Sequence, residues 1–129
     1  MSASHPWTPP WFTGKRVTVM GLGLHGGGLA VASWMLRRGA DVTVTDLKTR
    51  QHLTSSVRAV ERVARERGSG ALTLILGRHR TTDFTHADLV MQNPGVPRES
   101  SYLTAARKAK VSIENEASLF FRIIKTADV

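Results

Sequence analysis

Gly21, Gly23 and Gly26 stand in G-x-G-x-x-G spacing, and Asp46 follows the last of them by about 20 residues. Glycines so spaced let a chain turn sharply out of a strand, bring bare backbone against a diphosphate and start a helix close to a sheet. The unpaired N–H groups and positive dipole end of a helix beginning near His25 then face the phosphates. A carboxylate at Asp46 accepts hydrogen bonds from a ribose or from base N–H groups. The chemistry indicated is nucleotide binding, and the motif leaves the nucleotide open. Tight strand–helix packing alone also uses such glycines.

For that chemistry the glycines must lie between two strands. Residues 15–20 carry the β-branched Val17 and Val19 and predict a first strand. Residues 29–36 are apolar on nearly every face, as in a helix buried against a parallel sheet, and Gly39 stops them. Residues 41–45 predict the second strand, closed by Asp46. Farther on, Leu53, Val57, Val60 and Ala64 recur at helical spacing within an amphipathic helix over 50–67. Residues 71–76 and 87–92 predict strands three and four, the latter stopped by Asn93, Pro94 and Gly95. A helix over 101–109, a strand over 111–113 and a helix over 116–125 complete an alternating pattern. The fold class is therefore α/β: a Rossmann-like, doubly wound, five-stranded parallel sheet in a single domain. Residues 1–14, with Pro6, Pro9 and Pro10 among Trp7, Trp11 and Phe12, predict an irregular amino-terminal arm whose aromatics pack on the domain edge.

Composition narrows the partners. At 129 residues the chain suffices for one domain with a real core, and 41% hydrophobic with 22% charged residues is ordinary for a globular protein. No apolar run is long enough to span a bilayer, and residues 1–14 lack the pattern of a signal peptide. The absence of cysteine excludes disulfides and thiolate chemistry and fits a cytoplasmic location. A formal charge of +8 favours anionic partners. Much of it lies in Arg50, Arg58, Arg62, Arg65, Arg67, Arg78 and Arg80, which have no interleaved aromatics for base stacking. A solvated helix face is the expectation, not a nucleic-acid patch. His5, His52 and His86 lack partners at metal-ligand spacing, His79 reads as a loop residue at a strand edge, and Glu114, Glu116 and Asp83 make no convincing catalytic pair. Glu116 fits the first turn of the last helix.

The landmarks GKRVTVMGLGLHGGG, VTVTD, LILGRH, ADLVMQNPGVP and ENEASLFF occur in this order. Together they resemble the amino-terminal domain of the Mur ligases, most closely the branch that adds D-glutamate to UDP-N-acetylmuramoyl-L-alanine in peptidoglycan synthesis. The resemblance covers residues 14–125, and its N-P-G-V turn and E-x-x-L-F element are more discriminating than the glycine loop. It implies that this domain holds the UDP moiety. The backbone around Gly23, Leu24, His25 and Gly26 would cradle the diphosphate. Asp46, Leu47 and Lys48 would surround uracil and ribose, and Asn93, Pro94 and Gly95 would form the other wall. The family often has a small residue at His25, Thr at Leu47, Arg at Lys48 and Glu at Ser118, so Lys48 keeps the charge without arginine's planar fork.

The resemblance also implies ATP and Mg²⁺ for the full-length ligase, which activates a carboxylate as an acyl phosphate. The chain has no G-K-[ST] loop, so no cofactor is expected in this domain, and catalysis belongs to ligase domains absent from this chain. Residues 15–125 are expected to be the UDP-substrate-binding domain and 126–129 the start of a linker to an ATP-binding domain. A monomer with no membrane or nucleic-acid partner is expected. From the glycine loop and Asp46 alone, an NAD(P)-binding domain of a dehydrogenase or regulatory protein remains the alternative.

Overall fold

The computed structural model describes residues 9–23, 27–93 and 100–127. Five strands form one parallel sheet: β1 (Arg16–Met20), β2 (Asp41–Asp46), β3 (Leu72–Leu76), β4 (Leu89–Gln92) and β5 (Ser112–Glu114). Their order is β3-β2-β1-β4-β5, with Val17 beside Val42 on one side and Leu89 on the other. The chain thus moves outward from β1 through β2 to β3, then returns to β1's other edge to lay down β4. That reversal opens a crevice at the carboxyl ends of β1 and β4, where open α/β sheets receive ligands. The expected doubly wound sheet is the observed one.

Alternation along the strands sorts side chains into two cores. Val17, Val19, Val42, Val44, Leu89 and Met91 face a layer containing α1 (Gly27–Arg37) and α2 (Thr54–Ala64), to which α5 (Glu116–Ala127) adds Leu119. Met20 and Val90 meet Phe84 of α3 (Thr81–Thr85) and Leu103 and Ala106 of α4 (Ser101–Lys108) on the opposite face. Covering both faces of a parallel sheet removes its apolar side chains from water.

Several boundaries differ from the sequence expectation for local reasons. α2 begins at Thr54, later than its apolar periodicity suggests, because residues 49–53 form turns in which Leu53 N–H donates to the Thr49 and Arg50 carbonyls. The five-residue α3 was not expected at all; a single buried Phe84 gives no periodicity to read, and Arg80–Asp83 pairing at 2.8 Å supports its first turn. In the arm, Pro9–Phe12 form a 3-10 turn. Phe12 is fully buried, edge-on to both Trp11 and Trp34 at about 5 Å. α5 is capped by Asn115, whose Oδ1 accepts from Ser118 N–H at 2.8 Å while Ser118 Oγ accepts from Asn115 N–H at 2.9 Å. Ser118 thereby closes a reciprocal capping box, and Glu116 adds negative charge to the first turn.

The close approach of α1 to the sheet occurs at Gly28. A Cβ there would stand 2.1 Å from the Gly21 carbonyl oxygen and 2.6 Å from that of Leu22. Both neighbours are backbone, so relief requires the helix to move. Gly28→Ala is expected to cost about 3 kcal/mol by overpacking, read as a lower urea midpoint with an unchanged m-value; an unaltered midpoint would show that the helix shifts freely.

Candidate functional site

The carboxyl end of the sheet is organised around Asp46. As the last residue of β2 it is only 8% exposed, and a carboxylate so placed must find donors. They are backbone amides. Oδ2 accepts from Leu22 N–H at 2.9 Å and Gly23 N–H at 3.4 Å, and Oδ1 accepts from Lys48 N–H at 2.8 Å. The bond to Lys48 is an Asx turn. One side chain therefore fastens the glycine loop after β1 to the turn after β2.

Gly23 is held from two further directions. Its carbonyl accepts from Ser56 Oγ of α2 at 3.2 Å, and its φ of +76° is the left-handed conformation that glycine adopts without strain. A Cβ on Gly23 would come within 3.3 Å of Asn93 Nδ2. Asn93 in turn donates from Nδ2 to the Gly21 carbonyl at 3.3 Å and from its backbone N–H to Met20 at 3.0 Å. The residue after β4 is thus tied to the residues ending β1.

Gly23, Asp46, Leu47, Lys48 and Asn93 line one open cleft. Leu47 and Lys48 are exposed at its rim. Leu24, His25, Gly26, Pro94 and Gly95 lie outside the described residues. Among the described residues no group of three His, Asp or Glu side chains gathers as a metal site requires.

The cleft also includes His79, Ser100, Ser101 and Tyr102, which the sequence had not marked as ligand residues. His79 follows β3, and its Nδ1 lies 2.6 Å from Thr45 Oγ1. Its ring meets Tyr102 edge-on at 5.1 Å and Phe84 at 6.0 Å. Burial lowers the His79 pKa from its ordinary 6.5, opposed by the negative charge of Asp46, so the imidazole is neutral at pH 7. No local pattern announces His79, because its partners come from β2, α3 and α4. Ser56 was hidden likewise, inside an amphipathic helix where a serine is unremarked. For Gly28 a signal did exist: it is the third glycine of Gly26-Gly27-Gly28.

The arginines of the basic segment are distributed as expected of a solvated face. Arg58 and Arg62 are exposed on α2 and Arg65 at its carboxyl-terminal cap, and Arg50 pairs with Glu61 at 3.2 Å. Glu114 is committed to Arg122 at 2.8 Å.

Two outcomes follow from this geometry. Asp46→Asn places an NH₂ group where backbone N–H groups require an acceptor, and chemical denaturation should show a loss of about 1–3 kcal/mol. Wild-type stability in that variant would mean that the amide bonds contribute nothing net. The His79 resonance should titrate below 6.5 by NMR. Because the unfolded chain then takes the proton first, His79's contribution to stability is intact above 6.5 and declines as pH falls through the lower native value. A native value above 6.5 would reverse that sign.

Comparison with known proteins bears on the same segment of chain. The family model "Mur ligase MurD-like, N-terminal domain" matches residues 15–115. The chain is similar to the UDP-N-acetylmuramoylalanine–D-glutamate ligase of Roseiflexus sp. (strain RS-1), with 46% identity over 110 residues, covering 85% of this chain and 22% of that protein. The ligase of the same name from Treponema pallidum (strain Nichols) is 43% identical over 111 residues, covering 85% and 20%. Among solved structures, a pseudomurein peptide ligase type C from Methanothermus fervidus shares the fold, with a TM-score of 0.54 at 20% identity over 83% of this chain and 20% of that one. The chain spans about a fifth of the length of the curated relatives it matches. With the family model matched through all five strands, from the start of β1 to the end of β5, this chain belongs to the MurD-like family of Mur ligases and represents its amino-terminal domain.

Proposed function

We propose that this domain binds the UDP end of UDP-N-acetylmuramoyl-L-alanine within an ATP-dependent ligase that adds D-glutamate during peptidoglycan synthesis in the cytoplasm. The observation that carries the reading is the shared cleft of Gly23, Asp46, Leu47, Lys48 and Asn93 at the carboxyl ends of β1, β2 and β4. Family membership supports it, and the Roseiflexus and Treponema relatives bear the name of that ligase.

Each group has a task in this reading. The Leu22 and Gly23 N–H groups are turned to Asp46, so the diphosphate is left to the amides that follow, Leu24 to Gly26 and the start of α1, where the helix dipole favours an anion. Asp46 sets the loop in place and offers its remaining Oδ1 acceptor capacity to the nucleoside. The Lys48 ammonium adds charge at the rim, and Leu47, 67% exposed, gives the nucleoside apolar surface. Asn93, with Pro94 and Gly95, walls the uracil side.

The domain is a binding part and not the catalyst. ATP and Mg²⁺ would supply phosphoryl activation of the substrate carboxylate, but the chain lacks a G-K-[ST] loop to hold them, so they belong to other ligase domains. Those domains and the sugar-peptide substrate are the proposed partners of a monomeric protein.

Calorimetric titration with UDP-N-acetylmuramoyl-L-alanine, UDP and NAD tests the proposal. UDP compounds should bind saturably, NAD should not, and Asp46→Ala should weaken UDP by on the order of 1–3 kcal/mol. Saturable NAD binding without a UDP response would replace the proposal with a dinucleotide-binding role.

A further inference from the structure

Among the described residues His79 is the one imidazole lining the cleft, and its hydrogen bonding bears on which face of its chemistry is on offer. Thr45 has a single hydroxyl proton, which it donates to the Arg78 carbonyl at 3.1 Å. With that proton so placed, the donor of the 2.6 Å contact between Thr45 Oγ1 and His79 Nδ1 is assigned to the imidazole. A neutral ring with its proton on Nδ1 keeps a bare lone pair on Nε2. Among the described residues no hydrogen-bond partner meets Nε2, and no buried side-chain nitrogen or oxygen lacks one, so Nε2 opens to solvent in the cleft. Ring orientation is fixed as well: Tyr102 lies edge-on at 69°, and Phe84 backs both rings.

We propose that His79 is a base-selecting residue whose Nε2 accepts a hydrogen bond from the N3–H of a pyrimidine and so distinguishes uracil from cytosine. This rests on the cleft being the UDP site proposed above. Uracil carries a hydrogen on N3, whereas cytosine presents a lone pair there, and two lone pairs facing each other leave a desolvated acceptor unpaired. Asp46, whose Oδ2 takes two amide hydrogens and Oδ1 one, has a single Oδ1 position left, which in this reading serves the ribose of the nucleoside and not the base. Thr45, fully buried on β2, is the positioning residue that selects the tautomer.

The test is paired titration of the chain with UDP and CDP. Wild type should prefer UDP by about tenfold, the worth of one hydrogen bond, and His79→Phe, which keeps an aromatic ring against Tyr102, should abolish that preference mainly by losing UDP affinity. An undiminished preference in His79→Phe overturns the assignment. Equal UDP and CDP affinities in wild type overturn it while leaving the UDP site standing, whereas no UDP binding at all overturns both. Long-range ¹⁵N–¹H NMR on the wild-type chain gives a reading independent of the variant's folding. It should show His79 protonated at Nδ1, with Nε2 moving on addition of UDP and not of CDP; protonation at Nε2 would refute the proposal.

Discussion

The buried carboxylate of Asp46 is the constraint on which the cleft depends. A charge nearly removed from water is tolerable only when its oxygens are satisfied, and here three backbone amides from two loops converge on them. The same bonds leave the Leu22 and Gly23 N–H groups no other role and turn the chain toward α1. Loop geometry and carboxylate burial are therefore a single property. A carboxylate at the spacing of a ribose contact has, in the folded domain, first become the fastener of the backbone that leaves β1.

Around this latch the sheet supplies rigidity. β1 is central, paired on both edges, and its Val17 and Val19 are almost fully buried. The segments leaving β1, β2 and β4 start from hydrogen-bonded neighbours in fixed register. Asn93 at the end of β4 can thus reach back to Gly21, and α2 can place Ser56 on the Gly23 carbonyl. Gly23 is consequently clamped from β2 and α2, with Asn93 packed against its bare Cα. Gly23, the most permissive kind of residue in its backbone, is thus held by side chains remote from it in sequence.

The legible residues share a trait: their signals are local. The glycine spacing, the acid closing the second strand and the N-P-G-V stop can each be read within a few neighbours, and of the residues they marked, Gly23, Asp46 and Asn93 line one cleft, together with Leu47 and Lys48, which the family resemblance implied. His79 and Ser56 acquire meaning only from partners distant in sequence, and α3 is too short to show a period. Gly28 illustrates an intermediate case. Its composition signal was visible, but which of three successive glycines touches the sheet depends on how α1 seats against β1.

By itself, the sequence determined the alternation of strands and helices, hence a parallel doubly wound sheet, and the family to which it belongs, because period, turn chemistry and motif order are properties of the chain read along its length. Tertiary structure alone decided where Asp46 spends its hydrogen bonds, which residues surround the His79 ring and which glycine meets the sheet. Those outcomes are set by burial and by donors and acceptors that meet only when β1, β2 and β4 lie side by side. Asp46 is the clearest instance: its position is written in the sequence, while its first partners are two loops that the fold brings to it.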